Sequence, residues 1–127
     1  MTDPKRLQSY HDLEIYRLAT ALAVEVHSKP LNHLPKFEMY EVGSQIRRSA
    51  KSVGANIVEG FGRKKYRGEY VQFLTYALAS CSETQYHLEV LQPTGSLNDE
   101  ISQDLLQRYQ ELGRKIHNFR KAVLKTS

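Results

Sequence analysis

The chain has 127 residues, 40% of them hydrophobic and 25% charged, which suits one globular domain and leaves no room for separate cofactor and substrate domains. No apolar run approaches the ~20 residues that cross a bilayer, MTDPKRLQSYHDLE lacks the apolar core of a signal peptide, and the lone Cys81 excludes an internal disulfide, so a cytoplasmic protein is expected. Net charge is only +4, but Arg47–Arg67 sets seven basic residues against one acid and Gly113–Ser127 sets five against none, which leaves the remainder net acidic.

Four helices are predicted, separated by breaks carrying Pro, Gly and Asn. The first covers about residues 11–28: Ser9 and Asp12 fit a capping box, and the proline-bearing SKPLNHLPK closes it. Leu13, Tyr16, Ala19, Leu22, Ala23 and Val26 form its inner face. The second runs from residue 37 or 40 to Phe61. At a helical pitch, Val42, Ala50, Val53 and Ile57 fall within about 40° of Ile46, which marks the core stripe. The third, about Gly68 to Leu91, carries Tyr70, Leu74, Ala77, Cys81, Thr84, Leu88 and Leu91 at alternating spacings of four and three, the seam of a bundle helix. QPTGSLND turns the chain, with Pro93 and Gly95 as breakers and Ser96 or Asn98 as the next cap. The fourth helix extends from about Asn98 to Lys125, with Asp99, Glu100 and Asp104 at its start and Lys121 and Lys125 at its end, as the helix dipole favours. No stretch alternates with period two, so the predicted fold is all-α: an antiparallel up-and-down four-helix bundle, one domain over residues 1–127.

Beside the core stripe of the second helix runs a polar one, Gln45, Ser49, Ser52, Asn56 and Glu59. It fits either a rim where small side chains let two helices approach or an ordered hydrogen-bond network or groove. Asn56 is expected to be at least partly buried and bonded between helices. On the far side Arg47, Arg48 and Lys51 share a face with Ala55 and Val58, and an exposed Val58 on a charged face predicts cover by another chain.

In ANIVEGFGRKKYRGEY, Gly60 and Gly62 are expected to end the second helix in left-handed geometry. Arg63, Lys64, Lys65 and Arg67 then crowd the start of the third, where free N–H groups and the dipole favour a phosphate, and Tyr66 and Tyr70 offer flat faces to bases. The same turn also fits a merely solubilising surface. No base-reading motif is present, so binding would be to phosphate and shape. Catalysis finds little support: His11, His27, His33, His87 and His117 are scattered without H-E-x-x-H or E-x-x-H pairs, and GFGRKK is not a P-loop, so no enzyme, metal or cofactor is expected. Glu83 and His87, four apart, read as a surface contact or an interface hydrogen bond.

SQIRRSAKSVGANIVEGFGR (Ser44–Arg63), followed by YVQFLTYALASCSETQYHL and preceded by HDLEIYRLATALAVEV, resembles the four-helix-bundle family of proteins encoded in intervening sequences of bacterial 23S ribosomal RNA genes. The resemblance covers nearly the whole chain. It rests on Gln45, Arg47, Arg48, Ser52, Ala55, Asn56, Ile57, Glu59, Gly60, Gly62 and Arg63, and in the third helix on Phe73, Leu74, Ala77, Ser80, Glu83 and Leu88. Gly54 stands where a proline is common, Cys81 and Thr84 where leucines are, and LQPTGSLND is more broken than the usual link. The resemblance implies a self-assembling bundle, a homo-oligomeric ring of five. The chain is also similar to the accessory protein of diversity-generating retroelements, a bundle that binds nucleic acid and partners a reverse transcriptase. Two functional expectations follow. In one, a ring of bundles binds RNA or DNA through Arg47, Arg48, Lys51, Arg63, Lys64, Lys65 and Arg67; in the other, an oligomeric scaffold docks its charged face on another protein.

Overall fold

The computed structural model describes residues 8–29 and 36–126, the side chains of 36–38 excepted. A 3-10 turn, Tyr10–Asp12, precedes four helices: α1 (Glu14–Ser28), α2 (Lys36–Gly62), α3 (Arg67–Leu91) and α4 (Asp99–Leu124). No strand occurs among the described residues, and none of their helices is long and apolar enough to cross a membrane.

Cross-helix pairs give the topology. Between α2 and α3, Ser49 meets Thr84 and Ser52 meets Ser80, so numbers rise on one helix as they fall on the other. The same holds between α3 and α4, where Cys81 meets Tyr109 and Thr75 meets Arg120, and between α4 and α1, where Arg108 meets Glu25 and Lys115 meets Glu14. Gly54 opposite Ala19 and Thr20 joins α1 to α2. Each helix packs on its two neighbours in chain order, and α1 closes on α4, as in an up-and-down bundle.

The seven α3 residues of the predicted seam are all buried, as are Ile46, Ala50, Val53 and Ile57 of α2. On α1, Ile15 joins Leu13, Ala19, Leu22 and Val26 in the core, while Tyr16 and Ala23 stay half-buried at its edge. From α4 come Leu105, Tyr109, Leu112, Ile116 and Val123.

The ends follow the capping signals in part. Ser9 and Asp12 form their capping box, but it opens the 3-10 turn, and α1 proper starts two residues later at Glu14. Asn98 caps α4 by accepting from the Glu100 and Ile101 N–H groups at 2.9 and 3.2 Å. The proline-marked break after α1 falls on residues 30–35, outside the described residues. Gly60 and Gly62 depart from expectation: both lie inside α2 without left-handed geometry. The helix instead ends through tightened turns, Arg63 N–H donating to the Gly60 carbonyl at 2.9 Å and Lys64 N–H to that of Phe61 at 3.1 Å. The left-handed glycine is Gly95, with φ 69°, just past the end of α3.

Candidate nucleic-acid interface

The turn between α2 and α3 places four basic residues within five positions, and each has found a distinct setting. Arg63 is shared by two carboxylates, Glu69 at 2.8 Å and Glu59 at 3.7 Å, and its guanidinium lies 5.0 Å from the Phe73 ring centre. The hydrogen bond to Glu69 and the charge of Glu59 hold its pKa above the ordinary value. The Lys64 ammonium sits 3.9 Å over the Phe61 ring. Lys65 is exposed. Arg67 reaches the last turn of α4, donating to the Thr126 carbonyl and, at 3.5 Å, to that of Leu124.

That last contact has the widest consequence. It brings the α2–α3 turn beside the C-terminus of α4, so two basic runs about sixty residues apart in sequence share one end of the bundle. Lys121 and Lys125 are exposed there, while Arg120 turns back to donate to Thr75 Oγ1 at 3.1 Å. Backbone N–H groups at the start of α3 open onto the same end. Tyr66 is 58% exposed beside them, but Tyr70, at 1%, is a core residue and offers no face to a base. Its place in the core seam of α3 turns its ring inward, although it follows the basic run closely in sequence.

Arg47, Arg48 and Lys51 do not join this group. Sixteen residues of helix separate Arg47 from Arg63, about 24 Å at 1.5 Å per residue. Arg48 and Lys51 are exposed, and Arg47 is half-buried beside Val26, Leu88 and Leu97. The sequence-predicted cations thus form two surfaces.

The polar stripe of α2 becomes part of a hydroxyl seam against α3. Ser52 Oγ and Ser80 Oγ lie 2.9 Å apart, and Thr84 Oγ1 donates to Ser49 Oγ at 2.9 Å, which donates on to the Ile46 carbonyl at 3.1 Å. Asn56 is half-buried as expected, but its amide donates to the Ser52 carbonyl and hydroxyl, both on its own helix, at 2.9 and 3.1 Å. The bond between helices belongs to Ser52, whose hydroxyl meets that of Ser80 on α3. Gln45 and Glu59 stay exposed at the ends of the stripe. Gly60 is buried where α3 crosses: a Cβ there would stand 3.0 Å from the Phe73 Cβ and 3.2 Å from Tyr70 Cδ1, whereas Gly62 faces open space. Val58 is half-buried rather than fully exposed, on the wall of a groove between α1 and α2. Glu83 and His87 make their contact at 3.2 Å along α3.

Residues 11–118 match the family model of the 23S rRNA-intervening sequence protein. Among solved structures, the chain is similar to a protein of unknown function from the S23 ribosomal protein family of Bacteroides thetaiotaomicron, at 25% identity and a TM-score of 0.70, with 84% of this chain and 95% of that one covered. No curated protein matches significantly.

Proposed function

The chain belongs to the 23S rRNA-intervening sequence protein family, and from there we propose that it is a self-assembling bundle that binds RNA or DNA through its basic end, reading phosphate and shape without sequence preference. The carrying observation is the contact of Arg67 with the Thr126 carbonyl, which brings the chain end that follows Lys121 and Lys125 beside the start of α3 and the turn that carries Lys64 and Lys65. Dipole, free N–H groups and side-chain charge then act on the same anion. Tyr66 supplies an exposed ring for stacking. The assembly is a homo-oligomer, by family resemblance a ring of five, so the basic end is repeated and its contacts multiply.

Binding should be strongly salt-dependent. If each subunit neutralises about three phosphates, log affinity falls against log salt with a slope of about −2 to −3 per engaged subunit. Filter binding with a random-sequence RNA and a DNA duplex tests the reading. Lys64→Glu with Lys65→Glu should abolish retention at moderate salt, while the same reversal at Lys5 and Arg6, outside the described residues, should change it little. Equal losses in both variants would reduce the effect to general attraction toward a basic chain. No retention by the parent protein would transfer the basic end to an acidic protein partner, the scaffold reading.

A further inference from the structure

The α1–α2 face carries an open apolar groove of about 450 Å³. Its floor is built of small residues: Ala19 and Ala50 are fully buried, and Gly54 lies where an added Cβ would already meet Thr20 and Ala19 at 3.7 and 3.9 Å. Its walls are apolar, with Val24 63% exposed on one side and Ala55 and Val58 on the other. Elsewhere on the molecule α3 presents a convex counterpart. Tyr76, Ala79, Glu83, Tyr86 and Val90 recur at spacings of three and four and fall within about 40° of one line, on the side of α3 turned away from its core seam. Tyr76, Tyr86 and Val90 are 45%, 63% and 41% exposed. A helix that packs one heptad seam inward and shows a second outward has a face still to be covered.

We propose that the α3 ridge of one copy seats in the α1–α2 groove of the next; this rests on the self-assembly proposed above and names its two surfaces. Three features fit. The ridge from Tyr76 to Val90 is about 21 Å long and the groove from Tyr16 to Ser28 about 18 Å, at 1.5 Å per helical residue. Large aromatic side chains stand on the convex surface and small ones floor the concave one, which is how helices reach close packing. Charge matches at the centres: Lys51 is exposed midway along the groove and Glu83 midway along the ridge, so the two meet whichever way the ridge runs. The surfaces are unlike each other, so the contact is heterologous. With the helices in chain order around the bundle, groove and ridge lie on different sides, and a repeated head-to-tail contact of this kind makes a ring where its rotation closes.

A heterologous contact has a diagnostic that an isologous one lacks. Ala55→Arg obstructs the groove and Tyr86→Arg the ridge, both at exposed positions, with Val24→Arg as a second groove variant if Ala55→Arg lowers the melting temperature. In light scattering the parent protein should exceed the 14.6 kDa of one chain several-fold, and each variant alone should fall to that mass. Mixed one to one, the two variants should form a dimer at twice that mass and stop, because one intact groove and one intact ridge remain. Lys51→Glu and Glu83→Lys should each weaken assembly and together restore it. A parent protein assembled but unaffected by either variant, or variants that stay monomeric when mixed, would overturn this pairing while leaving self-assembly intact. A parent protein of 14.6 kDa would overturn self-assembly itself.

Discussion

Tyr70 and Tyr109 lie in the core of the bundle at 1% and 0% exposure, and neither phenol oxygen has a hydrogen-bond partner among the described residues. A buried hydroxyl without a partner carries the cost of leaving water with no bond in return, so these rings serve by their volume. Tyr70→Phe and Tyr109→Phe should leave stability unchanged or raise it by about 1 kcal/mol, read from the urea midpoint. A clear loss in either variant would mean that its oxygen is satisfied after all. Burial also pushes both phenols above their ordinary pKa of 10.0, and for Tyr109 the nearby Cys81 adds to it. The unfolded chain gives up these protons near pH 10 while the folded one keeps them, so the unfolded state binds fewer protons and stability falls as pH rises from there. Below that pH the two groups impose no such loss. Alkaline denaturation should therefore be steep above about pH 10, and each Phe variant should flatten it, as a circular dichroism titration would show.

Among the helices, α3 was fully legible: seven residues at alternating spacings of four and three can face one way only on a helix, and all seven are buried. Its neighbour α2 was legible along its core stripe but misread at its end, because glycine answers two different demands that a sequence does not distinguish. One is a left-handed cap, the other close helix crossing. Gly60 meets the second, with Phe73 and Tyr70 where its Cβ would go, and Gly62 meets neither. The two glycines should respond oppositely to alanine. Gly60→Ala should cost about 1–3 kcal/mol through overpacking, and Gly62→Ala should stabilise by roughly 0.5–1 kcal/mol through helix propensity. Had both been left-handed caps, both changes would destabilise, so paired thermal melts separate the two accounts. The hydroxyl seam was half legible in the same way. The stripe on α2 was visible, but its partners Ser80 and Thr84 lie among residues that read only as part of α3.

At the scale of the whole molecule, the charges of α4 are sorted along the bundle axis. Asp99, Glu100 and Asp104 open α4 at one end, and Lys121 and Lys125 close it at the other, about 33 Å away from Asp99 to Lys121 at 1.5 Å per residue. That is about four Debye lengths at physiological salt, so the acidic end neither attracts nor shields a phosphate bound at the basic one. Composition could show two basic runs, and periodicity could place each at a helix end. Only the closure of the bundle, with Arg67 bonded to the Thr126 carbonyl, sets them side by side, since about sixty residues intervene. The consequence is testable apart from net charge. Lys121→Glu with Lys125→Glu should weaken RNA retention about as much as Lys64→Glu with Lys65→Glu, and each pair should lower the salt slope by roughly 1–2. Asp99→Lys with Glu100→Lys replaces two negative charges by two positive ones at the far end, raising net charge by four. If net charge governed binding, that variant would bind more tightly than the parent protein; if the basic end governs it, affinity should stay within a few-fold of the parent. Filter binding of all three variants at equal oligomeric state and several salt concentrations decides between them. Loss confined to the Lys64 and Lys65 pair would mean that the α4 terminus only anchors Arg67 and takes no part in the interface.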